Sequence, residues 1–183
     1  VRTSDLLIAA LAACFVLTAF GCSASVPAAS YPLSSVVIRS ADGTLAARVP
    51  EGWSADAVGA LPPGVLAILR SADGSATLRF REIALDRLTG QRVRGEGLPL
   101  LARLSAAFRA GAMPAGELPV RPEDLGERKV CGYEWTTAGG WSGVLVTMIG
   151  ARAYECEATA ARSADAAGAQ RAFLASVVTS IRG

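Results

Sequence analysis

The chain contains no histidine. That removes the side chain most often used as a general base and, with it, the commonest metal ligand. Neither sign of charge dominates: 18 Lys and Arg against 16 Asp and Glu leave a formal net charge of +2. Such mild basicity argues against nucleic acid as a partner, because nucleic-acid-binding domains carry a dense basic patch. No phosphate-loop pattern occurs, and the nearest glycine-rich stretch, Gly139-Gly140, reads as a hairpin turn. The longest apolar run, Leu6 to Phe20, is short for a bilayer span, which needs about 20 apolar residues. Cysteine is scarce at 4 residues, two of them near the N-terminus. The two that remain, without histidine, fall short of the usual four ligands of a metal site.

The N-terminus offers Arg2, a charge-free run from Leu6 to Phe20, and Gly21-Cys22 before Ser23-Ala24-Ser25. A cationic start, a short apolar core and small residues at a cut site mark a secretory signal. The segment Ala19-Phe20-Gly21-Cys22 resembles the lipobox of bacterial lipoproteins, with Phe20 bulkier than the pattern usually has. Leu11-Ala12-Ala13-Cys14 fits the pattern locally, but a cut there strands the apolar Phe15 to Phe20 at the new terminus. An uncleaved signal anchor is the alternative to cleavage. The lipobox resemblance implies that Cys22 bears several acyl chains, which hold a protein firmly where one chain binds only marginally. Serine after Cys22 is similar to lipoproteins sent on to the outer membrane. The expected location is therefore the cell envelope, lipid-anchored on the periplasmic side of the outer membrane.

Residues 1–21 are thus expected to be the signal and 22–35, rich in Ser, Ala and Pro, a flexible tether. Residues 36–183 are enough for a single domain with its own core. Two similar segments open it. Arg39-Ser40-Ala41-Asp42-Gly43 and Arg70-Ser71-Ala72-Asp73-Gly74 each place Asp-Gly between β-favouring apolar runs, a strong hairpin signal. The segments after the two hairpins share nothing, so the repetition is reuse of one turn chemistry. Val49-Pro50-Glu51-Gly52-Trp53 ends a strand and directs Trp53 toward the core.

Leu85 to Gly97 is expected to be a loop carrying Arg87, Arg92 and Arg94. Pro99 suits the first turn of a helix, with Leu101, Leu104 and Phe108 as its apolar stripe and Gly111 as its end. Residues 112–124, with three prolines, read as a surface connection. Lys129 to Thr137, Trp141 to Ile149 and Arg152 to Ala160 are expected to be three strands. In the last, Tyr154, Cys156 and Ala158 face the core while Glu155 and Glu157 face solvent. A final helix, capped by Ser163 and Asp165, runs to Ile181 on the stripe Ala169, Phe173, Val177, Ile181, with Arg182 at its carboxyl end. Strands joined by tight turns are antiparallel. The fold class is α+β: an antiparallel sheet of about five to seven strands packed with two main helices.

Val49-Pro50-Glu51-Gly52-Trp53 after a first strand, a central helix, the late strand Ala153-Tyr154-Glu155-Cys156-Glu157-Ala158 and a last helix ending Ser180-Ile181-Arg182 resemble the PsbP/DcrB-like small α/β proteins. Many of those are bacterial lipoproteins. The resemblance spans Thr44 to Arg182 and rests on short, structural motifs. Members serve as assembly factors, photosystem-associated subunits or envelope lipoproteins, so no catalytic residues carry over.

The chain has four candidate sites. Cys22 is the lipidation site. Cys131 and Cys156 are either a disulfide, which an exported compartment allows, or two buried thiols. In a strict meander they lie two strands apart, about 9–10 Å, beyond the ~7 Å that a bridge spans. Arg87, Arg92 and Arg94, with Arg79 and Arg81, form a patch for an anionic partner or a solvated face. Trp135 is expected to be buried, while Trp141 is either core or an exposed aromatic contact. Glu155 and Glu157 share a solvent face and lack the cleft that a carboxylate pair needs. No metal, cofactor or catalytic residue is assigned. The expected function is a non-catalytic envelope lipoprotein that binds or scaffolds an envelope protein. The alternatives are a carrier of a small apolar ligand and an unrecognised hydrolase.

Overall fold

The computed structural model describes residues 31–57, 59, 61–109, 111 and 118–180. Cys22, Cys14, Ile181 and Arg182 lie outside them, as does the whole segment before Tyr31. Ten strands and three helices are described. The strands are β1 (Leu33–Arg39), β2 (Leu45–Pro50), β3 (Trp53–Ala55), β4 (Val65–Ser71), β5 (Ala76–Ile83), β6 (Arg121–Leu125), β7 (Arg128–Thr137), β8 (Gly140–Ile149), β9 (Arg152–Ala160) and β10 (Val178–Thr179). The helices are α1 (Arg87–Glu96), α2 (Leu98–Phe108) and α3 (Ser163–Ser176). The main sheet has the order β3-β4-β5-β9-β8-β7-β6, and β1-β2-β10 form a small second sheet. Every strand pair is antiparallel. The class is α+β, as the strand and helix order implies.

Both Asp-Gly turns form hairpins, β1–β2 and β4–β5. They are chemically alike. Ser40 Oγ and Thr44 N donate to Asp42 at 2.6 and 3.0 Å, and Ser71 Oγ and Ser75 N donate to Asp73 at 2.7 and 3.0 Å. Gly43 and Gly74 sit at φ 68° and 69°, backbone that a residue with a Cβ rarely adopts. These bonds to the charged form depress both carboxyls, Asp73 to about 2. One hairpin belongs to each sheet, so the shared turn is local chemistry and no repeat of the fold.

Both faces of the main sheet are covered. One face packs with β1-β2 and α3 around Leu69, Leu78, Phe80, Cys156, Phe173, Leu174 and Val177. Phe80 stacks on Tyr154 and meets Phe173 edge-on at 5.6 Å. The opposite face packs with α1 and α2 around Val93, Leu100, Leu101, Cys131, Tyr133, Trp135, Val144 and Val146.

Several expectations are corrected. β1 begins at Leu33, within the span read as tether, and Tyr31 already packs on the core beside half-buried Trp53, whose Nε1 donates to its hydroxyl at 3.2 Å. Residues 87–96 form a helix. Asp86 accepts Leu88 N and Thr89 N, both at 2.9 Å, which is N-cap chemistry strong enough to start a helix despite Gly90 and Gly95. Phe108 is 87% exposed, because α2 ends there and only Leu101 and Leu104 of its stripe reach the sheet. β6 emerges from the expected surface connection. The last helix starts without a side-chain cap, and it stops at Ser176. Val177 turns to extended backbone so that Val178–Thr179 can pair with β2. Arg128 donates to the Val177 carbonyl at that carboxyl end, where a cation is favoured.

Candidate functional site

The densest chemistry sits under α2. Glu155, on β9, is 1% exposed although sequence alternation places it toward solvent. The alternation itself holds, since Tyr154, Cys156 and Ala158 do face α3. What differs is that the other face is also covered. Register sets Arg81 of β5 opposite Glu155, and Arg81 Nε reaches its Oε1 at 2.5 Å. Ser105 and Arg109, one helical turn apart at the end of α2, close over it. Ser105 Oγ donates to Glu155 Oε2 at 2.8 Å, Arg109 Nη1 does so at 3.2 Å, and Arg109 Nη2 pairs with Oε1. Tyr133 of β7 completes the cluster, its hydroxyl 2.8 Å from Ser105 Oγ. Glu157, on the same face, lies 3.5 Å from Arg109 Nε and is only partly buried.

Burial alone would raise the Glu155 carboxyl, but the hydrogen bonds and charges of Arg109 and Arg81 outweigh it and hold the group below its ordinary value. Burial likewise works against the Arg109 charge, and Glu155 more than restores it. Burial raises the Tyr133 hydroxyl. These directions define the chemistry available. An ionised carboxylate clamped by two guanidinium groups is a poor proton acceptor, so Glu155 cannot activate Ser105 as a nucleophile. The cluster pins the end of α2 to the sheet.

The patch residues Arg87, Arg92 and Arg94 are brought together on α1, all exposed, while Arg79 and Arg81 lie on β5. Arg87 and Arg94 are two helical turns apart on one stripe. The acids nearest them are committed: Asp86 caps the helix and Glu96 pairs with Arg92 at 3.2 Å. Exposed Arg103 of α2 adds to the same layer. α1 itself is held by one buried residue, Val93.

Cys131 and Cys156 are both free and buried. β8 lies between their strands, and they face opposite sides of the sheet, Cys131 under α2 and Cys156 under α3. The disulfide is therefore not formed, for the meander geometry that argued against it. Trp135 is buried, stacked at 5.9 Å on Tyr133. Trp141 is also buried, at 8% exposure, with its indole N–H on Glu134 at 3.0 Å, so it is no exposed contact. Among the described residues no group of three or more His, Cys, Asp or Glu could hold a metal ion. No helix among them is long and apolar enough to cross a membrane.

No family model matches the chain. No curated protein matches it either. Solved structures do. The solution structure of cyanobacterial PsbP (CyanoP) from Synechocystis sp. PCC 6803 matches at a TM-score of 0.50 and 13% identity, over 81% of this chain and 93% of that one. The fold resembles that of PsbP. A protein of Bacteroides thetaiotaomicron of known crystal structure matches at a TM-score of 0.53 and 14% identity, over 84% of this chain. This chain spans 50% of that protein's length. At these identities the likeness to PsbP carries the fold alone.

Proposed function

We propose that the chain is a lipid-anchored, non-catalytic binding module of a bacterial cell envelope, presenting the outer face of α1 to an acidic surface of an envelope protein. The observation that carries this reading is the helix itself. Arg87, Arg92 and Arg94 project from an element attached by Val93 alone, and the adjoining acids are committed to a cap and one ion pair. A helix with so little to bury is expected to matter for what it shows to solvent. The lipobox at Cys22 supports the anchor. Cys22 to Tyr31 spans at most about 30 Å, so the anchor keeps the domain close to its bilayer. Tyr31 packs on the face that α3 covers, opposite α1 and α2. The arginines then lie across the sheet from Tyr31, which favours a protein partner over the headgroups of the same leaflet.

The other two readings lack such support. A carrier of an apolar ligand needs a cavity of several hundred Å3 between sheet and helix. The gap in the apolar core among Ile38, Phe80, Phe173 and Val177 measures about 10 Å3, and the larger space beside α3 is an open groove rimmed by Arg121, Glu123, Glu134 and Arg171, unlike an enclosed apolar cavity. A hydrolase needs an available base, and the carboxylate beside Ser105 is disarmed by Arg81 and Arg109.

The test uses the full chain in its native envelope. Arg87→Glu, Arg92→Glu and Arg94→Glu together should abolish crosslinking to the protein that wild type captures, with membrane fractionation intact. Cys22→Ala should abolish fractionation and lipid labelling. Capture that survives the triple reversal overturns the binding face, and labelling that survives Cys22→Ala overturns the anchor. Anionic vesicles that bind wild type and not the reversal would assign the arginines to lipid instead.

A further inference from the structure

A second site lies on the other face of the sheet and owes nothing to the arginine helix. Between α3 and strands β6 to β8 runs an open groove of about 540 Å3. That is within the range of small-molecule sites. Its lining includes two glycines, Gly132 of β7 and Gly143 of β8, whose positions are covered by neighbouring side chains. A Cβ on Gly132 would meet Leu145 Cδ2 at 2.4 Å, and one on Gly143 would meet the Trp141 ring at 2.5 Å. Leu145 and Trp141 thus fill the space that side chains at these two positions would take.

Into this groove faces Gln170 of α3, 2% exposed. Its Nε2 donates to the Gly143 carbonyl at 3.1 Å and to the Cys156 carbonyl at 2.6 Å. Both partners are acceptors, so the amide has one orientation and its oxygen is left over. Oε1 has no protein partner among the described residues. That oxygen is not sealed from the groove, so it is free to accept a hydrogen bond from water or from a ligand hydroxyl. The charges around it cancel. From β6, Glu123 pairs with Arg171 of α3 at 2.7 Å and Arg121 lies 3.9 Å from Glu134 of β7.

We propose that this groove binds a neutral, polyhydroxylated ligand of the saccharide class, with a ligand hydroxyl donating to Gln170 Oε1. The balanced rims give no preference for either ionic charge. They do offer carboxylate acceptors and guanidinium donors side by side, which suits vicinal hydroxyls that donate and accept together. The glycine floor of β7 and β8 leaves room for a ring to approach the strands closely.

Neutral disaccharides, N,N′-diacetylchitobiose and cellobiose, are titrated into the full chain by calorimetry, with intrinsic tryptophan fluorescence as a second readout, since Trp135 and Trp141 both line the groove. Saturable binding of at least one probe below about 10 mM is expected, the weak end of specific affinities. Thr136, exposed and lining the groove, is replaced in Thr136→Trp to fill it without touching the core, and this variant should lose binding. Gln170→Met should weaken binding about tenfold, the value of one lost hydrogen bond. Should Gln170→Met fail to fold, Thr136→Trp alone decides. No saturation by either sugar, or saturation unchanged in Thr136→Trp, overturns the proposal. Both outcomes are independent of the arginine reversals on α1.

Discussion

On strand β9, Cys156 points under α3 into Phe80, Leu174 and Phe173, while its neighbour Glu155 points under α2 into two guanidinium groups, a serine and a tyrosine. One sheet is thus closed by unlike physics on its two faces. The α3 side is closed by burial of large apolar groups, which needs no partner geometry and is indifferent to pH. The α2 side has fewer large apolar residues and adds a buried ion cluster, which works only while every member is present. The contrast separates the permanent body of the domain from the layer suited to displaying a surface. α1, with its exposed arginines, rides on the second.

Truncating each face at its centre tests that separation most severely. Phe173→Ala removes the ring that meets Phe80 and should lower the unfolding free energy by about 4 kcal/mol. The loss should be the same at pH 7 and pH 4. If denaturant titration shows a loss below about 1 kcal/mol, well under the usual cost of such a truncation, α3 is not the main fastening and the contrast fails.

Glu155→Gln comes next, at about 3 kcal/mol, because Arg109 is left largely buried with only Glu157, 3.5 Å from its Nε, to balance its charge, while half-exposed Arg81 can rehydrate. Here pH separates the faces. The Glu155 carboxyl is held below its ordinary 4.5, so its stabilisation is complete above about that pH and is lost as pH falls through the depressed folded value. The difference between wild type and Glu155→Gln should therefore shrink on acidification from pH 5 to pH 2. A constant difference across that range would show that Glu155 is not ionised in the fold. The turn carboxyls Asp42 and Asp73 titrate alike in both proteins and drop out of the difference.

Only half of this contrast is visible in the sequence. The α3 face is legible because Ala169, Phe173 and Val177 recur four apart, and because β9 alternates cleanly. Both Asp-Gly hairpins are legible for the same reason, a strong local rule without a competing contact. The α2 face is not, since alternation tells which residues share a side but not whether that side is covered. The signal is in β8, where Val144, Leu145 and Val146 are apolar without alternation, as expected of a strand buried on both faces. With β8 covered on both sides, Glu155 on the adjacent strand needs a cation, and Arg109 stands on the one helix available. Asp86 is the second missed signal: an aspartate three residues before Thr89 starts a helix even among glycines. Gln170 is beyond any such reading, because its spare oxygen depends on which two carbonyls the sheet presents to it.

The smallest effect should appear in reactivity instead of stability. Cys131 lies under α1 and α2, Cys156 under α3, and each becomes accessible only when its layer opens. Burial raises both thiols above their ordinary value. For Cys131 the nearby Arg103 charge offsets part of that, whereas Glu155 and Glu157 push Cys156 further up. The layer with fewer large anchors and the lower thiol should therefore react first. Under native conditions an alkylating probe read by peptide mass spectrometry should modify Cys131 well before Cys156, with no mass change on reduction beforehand. Cys156 reacting first would mean that α3 opens more readily than α1 and α2, reversing the assignment of body and display layer.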